Sequence, residues 1–213
     1  MPFTLDNYSE TRPFLYHLTA QENIDRIKSS GCLESAAVLL NSAENKEIIR
    51  TRRIEKMPVR IDSEQIVLRD QAPLYADNIN FTDGWTLGDF VEDLNRRVFF
   101  WSGWQHAPIS YGENHFARYS EERPVVIRTR FNSLLVKNPG RRPLFCKYNS
   151  GAPRQFQGRQ SPRGPGTFLP AEQCPYTCGK VVEVTFIEAV KLPEDTEISF
   201  NARGPWKPMF SRT

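Results

Sequence analysis

The 213-residue chain has no stretch approaching the roughly 18 consecutive apolar residues that a membrane helix needs, so no membrane partner is expected. Its opening, MPFTLDNYSETRPFLYHL, has no basic start leading into an apolar run. No secretory signal is therefore visible, and the cytoplasm is the default compartment. Cysteine is scarce: Cys32, Cys146, Cys174 and Cys178 are all there is. With nothing else pointing to secretion, a disulfide framework is not expected. CPYTC offers one pair of thiols, Cys174 and Cys178, where a tetrahedral zinc site wants a second pair of ligands. No metal is expected, and the cysteines read as reduced, partly buried thiols.

Other absences narrow the class further. No internal repeat and no linker stand out. No Gly-rich loop follows a strand, and helices and strands do not alternate regularly, which argues against Rossmann and P-loop domains. No Ser-His-Asp or Cys-His arrangement has a recognisable local signature. From Arg123 to Ala171 there is no acidic residue, although the formal net charge is only +3. Such a block suits a solvated face, or a polyanion such as nucleic acid or a pyrophosphate.

What is present is a globular composition, 39% hydrophobic and 25% charged, in a chain long enough to bury a proper core. FLYHLT (14–19) reads as a strand, followed by a helix with Ile24 and Ile27 on one side, Thr19 as its N-cap and Gly31 as its stop. A second helix is expected near Ser42 to Arg53, a strand at QIVLRD, a helix over Thr86 to Arg97 and a buried strand over Val98 to Gly103. NHFARYSEE reads as a short helix. RPVVIRTRF reads as a strand with Val126 and its two arginines on different sides. Asn138 to Gly166, rich in Pro, Gly, Arg and Ser, reads as a long loop of functional type. KVVEVTFIEAVKLP (180–193) gives the clearest strand pattern. One α+β domain over 1–213, with its core at about 14–200, is the expected architecture.

Two polar residues sit inside apolar strands. His17 is flanked by Tyr16 and Leu18, and Glu183 by valines. His17 reads equally as a satisfied core histidine, and Glu183 as the outward face of an edge strand. A carboxylate facing the core is costly, and such groups are candidates for catalysis. Trp85, Trp101 and Trp104 read as core or pocket walls before a stacking platform, and His106 and His115 as exposed and incidental.

LYHLTAQENIDRIKSSGCL resembles the opening of the DarT-like ADP-ribosyltransferases, an aromatic-His-x-Thr strand followed by a short helix and a turn with Gly. IIRTRRIEKMPV with VLRDQAPLY is similar to that family's Arg-containing helix, Pro-Val strand and polar loop, and KVVEVTF to its Glu-bearing strand. The matches come in family order across about residues 14 to 190. The resemblance implies a split β-sheet core with flanking helices, NAD as co-substrate, and transfer of ADP-ribose to a nucleic acid or protein. It also implies a toxin or anti-phage defence role, with a cognate antitoxin as a further partner. Glu183, Arg53 and His17 would be catalytic; His17, Leu18, Thr19, Asn23, Arg52, Arg53 and Tyr75 would hold the cofactor. Arg52 and Arg53 both remain open for the phosphates or the target, and Tyr75, Phe100 and Trp101 for stacking on nicotinamide. The basic stretch SGAPRQFQGRQSPRGPGTF departs from the DNA-modifying members and suggests a less studied branch, with Arg154, Arg159 and Arg163 as acceptor-binding residues. An NAD glycohydrolase on the same fold, or a non-catalytic nucleic-acid-binding module, are the alternatives.

Overall fold

Local capping chemistry decides where several helices begin and end. In the computed structural model, which describes residues 3–210, α1 (Leu5–Thr11) is capped by the Thr4 hydroxyl accepting from the Asn7 amide at 3.1 Å. β1 (Phe14–Thr19) follows, then a single 3₁₀ turn, Gln21–Asn23, leading into α2 (Ile24–Ser30). Gly31, at φ 65°, stops α2 as expected, because an L side chain resists that conformation. Thr19 is not the cap; it ends β1, and its hydroxyl accepts from the Asn23 amide group at 3.1 Å.

β2 (Cys32–Glu34) leads to α3 (Ala36–Ser42), capped by Ser35 and burying Ala37, Leu39 and Leu40. The helix expected near Ser42 to Arg53 therefore lies earlier. Glu44 sits at φ 57°, which breaks the helix, and the Ile48–Ile49 pair belongs to a single 3₁₀ turn, Lys46–Ile48, and its end. β3 (Met57–Ile61) and β4 (Glu64–Leu68) form a hairpin, and β5 (Ile79–Phe81) follows. α4 (Leu87–Asn95) carries a reciprocal cap between Thr86 and Asp89. β6 (Arg97–Gly103) precedes α5 (Ser110–Arg118), which starts and ends four residues before the expected helix. β7 (Val125–Arg130) runs straight into α6 (Phe131–Lys137), a helix the sequence pattern did not announce.

The expected long loop contains β8 (Leu144–Cys146) and β9 (Ser161–Arg163). The expected long strand over 180–193 is two. Glu188, at φ 64°, separates β10 (Glu183–Ile187) from β11 (Ala189–Lys191), which pairs with β2 instead. β12 (Glu197–Ser199) and β13 (Lys207–Pro208) complete the chain.

Seven strands form one antiparallel sheet in the order β13-β12-β7-β1-β6-β10-β8, so the chain is an α+β domain. One face is continuous: Leu15, Phe100, Ile127, Val184 and Phe186 pack under Tyr8, Ile24, Ile27, Phe131 and Leu134 from the helices. The other face is divided. Tyr16, Leu18 and Val126 pack with Tyr119, Phe116 and Trp206, while Phe99 and Cys146 pack with Phe90, Val91 and Leu94 of α4. A further cluster joins α3 to the β3–β4 hairpin. Val126 and Arg128 share a face, as a two-residue period requires; the expectation that they lay on different sides is corrected. Arg128 is buried there, paired with Glu197 and stacked on Trp206. Arg130, beyond it, is exposed. No helix among the described residues is long and apolar enough to cross a membrane.

Candidate functional site

β1 pairs with β7 through six residues, Phe14 to Thr19, but with β6 through only three, ending at Tyr16↔Trp101. Beyond that pair the two strands part at His17. A cavity of about 560 Å³ occupies the opening. Consecutive residues of both strands line it, His17 to Thr19 and Val98 to Trp101, as expected of a gap between strand edges and not of a depression on one face. All four hydrophobic clusters reach it, for example through Ile27, Leu94, Leu68 and Tyr119. The cavity is the seam between them.

His17 and Glu183 both line this cavity, though not from adjacent strands, because β6 lies between β1 and β10. On strict alternation they fall on opposite faces, Glu183 level with Trp101 and His17 sharing the Leu15 face. One cavity touches both because the sheet is open there. His17 Nδ1 donates to the Phe99 carbonyl at 2.8 Å, since a carbonyl can only accept. Burial lowers its pKa, so the ring is neutral and Nε2 carries the free lone pair.

Glu183 is 4% exposed and β10 is interior, between β6 and β8, which removes the edge-strand reading. Its Oε1 accepts from the Ser150 amide at 3.1 Å, while Oε2 is buried with no hydrogen-bond partner among the described residues. Burial pushes its pKa up to about 7, against Ser150 and the Arg163 charge, which lower it. A proton on this carboxyl belongs on Oε2, because Oε1 is taken by a donor.

Arg53 lines the cavity, and its guanidinium donates to the Arg69 carbonyl at 3.0 Å and the Asn95 side chain at 2.9 Å. Burial lowers its pKa to about 10. Arg52 does not line the cavity. It donates to the Gln71 and Ala72 carbonyls and stacks at 5.1 Å on Tyr75, which is 57% exposed. Tyr75 therefore stands outside the cavity, beside Arg52. Of the three aromatic candidates, Phe100 is buried in the core and Trp101 lies on the cavity wall. Leu18 and Thr19 line the cavity, and Asn23 clamps it: its amide donates to the Val67 carbonyl at 2.9 Å and accepts from the Val67 N–H at 2.8 Å.

The three loop arginines do not form one set. Arg154 is exposed on the cavity lining, Arg159 is exposed and outside it, and Arg163 is 2% exposed on β9. From the expected loop, residues 147–154, Ser161 and Arg163 line the cavity. Arg163 is buried because β9 pairs with β5 in parallel and its guanidinium stacks at 4.4 Å on Tyr148.

Sequence reasoning missed His115. Gly112 brings α5 so close to Trp101 that a Cβ there would meet the indole at 2.9 Å. One turn on, the His115 ring packs tilted against Trp101 and edge-on to Tyr119, at 5.4 and 5.2 Å between ring centres, and burial lowers its pKa to about 4. The Gly-x-x-His spacing was the available signal. His106 is exposed, as expected. Eight cationic and three acidic side chains line the cavity, and Arg26, Arg69 and Arg97 among the cations are paired with carboxylates. Cys178 is in the core, and Cys174 lies 3.5 Å from the Pro170 carbonyl. No cluster of three or more metal-ligating side chains occurs among the described residues.

A family model described as a family of unknown function, DUF7002, matches residues 13–196. The chain belongs to DUF7002. Every cavity-lining residue, from His17 to Glu183, lies inside the region that defines DUF7002. No curated protein and no solved structure matches the chain.

Proposed function

We propose that the cavity binds NAD and that the protein transfers its ADP-ribose to an acceptor, a nucleic acid or protein. The observation that carries this reading is the buried Glu183 carboxyl, one oxygen unpartnered, on the wall of a cation-rich cavity that also holds His17. A volume of about 560 Å³ lies within the ~300–1,000 Å³ typical of small-molecule sites. Breaking the nicotinamide–ribose bond sends the electron pair to nicotinamide and leaves positive charge on the ribose. A carboxylate beside the ribose hydroxyls stabilises that charge or takes the acceptor's proton. Arg53 would meet the pyrophosphate. His17, Leu18, Thr19 and the Asn23 clamp would form the nicotinamide riboside end, with Trp101 as the stacking wall. The exposed Arg154 and Arg159 would contact the acceptor. A toxin or anti-phage role with a cognate antitoxin follows from the DarT-like resemblance.

Release of nicotinamide from NAD by the purified protein, and its loss in Glu183→Gln, is the test. No release by the wild-type protein would overturn the reading in favour of a nucleic-acid-binding module. Release without label transfer to a macromolecule would favour an NAD glycohydrolase.

A further inference from the structure

The peptide between Asn149 and Ser150 is held from both ends. Its N–H donates to Glu183 Oε1 at 3.1 Å, and its carbonyl accepts from Arg163 Nη2 at 3.2 Å. Both hydrogen bonds therefore run through one rigid, planar unit, and turning that unit to break one breaks the other. Arg163 is itself fixed. Its Nη1 donates to the Ser161 hydroxyl at 2.6 Å and the Pro162 carbonyl at 2.8 Å, and its Cζ lies 4.4 Å over the Tyr148 ring. Arg163, Ser150 and Glu183 are all buried, at 2%, 1% and 4% exposure, so losing one of these contacts is costly.

We propose that Arg163 is a positioning residue for Glu183, acting through the Asn149–Ser150 peptide, whose N–H it aims at the carboxylate. The guanidinium polarises the peptide carbonyl, which strengthens the N–H donor on the other side. That donor and the arginine's own charge both favour the ionised carboxylate, in the direction already noted for Glu183. The catalytic importance of the positioning rests on the proposed function; the coupling itself does not.

The experiment therefore uses the NAD-free protein. Glutamate labelled with ¹³C at the carboxyl carbon is titrated by NMR, and Glu183→Gln assigns the Glu183 resonance by its disappearance. In Arg163→Gln the Glu183 pKa should rise by about one unit or more above that of the wild type. Should that variant fail to fold by circular dichroism, Arg163→Lys is read in the same way, since it keeps the charge and loses the planar fork. If nicotinamide release is active, its acid limb should move to higher pH by the same amount. An unchanged Glu183 pKa in a folded Arg163 variant overturns the proposal, whatever the activity shows. Absence of nicotinamide release in the wild type overturns the function and leaves the pKa measurement standing.

Discussion

The strand that carries His17 is held differently along its two edges. Toward β7 it pairs through its whole length, from Phe14↔Arg130 to Thr19↔Val125. Toward β6 the ladder ends at Tyr16↔Trp101, and past that point the strand's contact with β6 is a side-chain bond, His17 to the Phe99 carbonyl. A sheet loses backbone hydrogen bonds by opening in this way, and each buried orphan is costly. Here one of the freed groups is met by a side chain: His17 takes the Phe99 carbonyl of β6. The closed edge is continuous, with Arg128 as a buried charge paired to Glu197 among apolar neighbours, whereas His17, Arg53, His115 and Glu183, whose pKa values burial shifts, all line the cavity at the open one. The proposed NAD site rests on this difference.

The largest test of that contrast is Glu183→Gln. It keeps the shape and removes the charge, and a preorganised electrostatic group is worth about 3–4 kcal/mol of barrier, so nicotinamide release should fall roughly 100-fold or more. NAD affinity by calorimetry should be largely kept, since the loss is confined to the transition state. Wild-type turnover in the variant would sink the assignment.

The same substitution has a stability signature of definite sign. The folded pKa of Glu183, about 7, is above its ordinary value, so the fold favours the protonated form. That contribution is present at low pH and is lost as the pH rises through about 7. Glu183→Gln cannot ionise, so it should match the wild type near pH 4. Above pH 7 it should be the more stable by up to about 3 kcal/mol, measured by urea unfolding across pH. Greater loss of stability in the variant at high pH than at low pH would contradict the burial account.

The two adjacent arginines sharpen the contrast further. Arg53→Gln removes a charged donor from the cavity and should weaken NAD binding about 10-fold or more, a charge-assisted hydrogen bond being worth about 1.5–3 kcal/mol. Arg52→Gln loses bonds to Gln71 and Ala72 outside the cavity and should change NAD affinity much less. Equal losses in the two variants would show that the cavity is not where the cofactor phosphates sit. A smaller effect is expected at His17→Phe, which fills the ring's space but leaves the Phe99 carbonyl unpaired. Unfolding should be easier by about 1–3 kcal/mol. The smallest is Arg159→Ala, exposed and off the cavity. Transfer to the acceptor should fall by a few-fold at low salt and less at high salt, with NAD affinity unchanged.

Much of this was legible in the residues. The FLYHLT strand, the Gly31 stop, the Thr86 start and the pairing of polar His17 and Glu183 with apolar neighbours all followed from period, capping and burial cost. Elements failed where a positive φ intervened, at Glu44 and Glu188, because acidic side chains at such positions leave no mark in a hydrophobic pattern. α6 was missed because Phe131 and Leu134 continue the apolar character of β7 without a boundary. Arg163 was misplaced for a related reason: SPRGPG has the composition of a loop, and only its parallel pairing with β5 makes it interior.

Residue type alone points to the α+β class and to two residues whose polarity is out of keeping with their strands, since burial cost is a local property. That both line one cavity follows from the packing of distant strands. β6 lies between their strands, and they share a cavity because the β1–β6 ladder stops after three pairs. Tertiary packing alone also separated Arg53 from Arg52, His115 from His106 and Arg163 from Arg159. Each pair has one chemistry and two fates, and what divides them is which side chain the packing of distant elements turns inward, a choice no local pattern records.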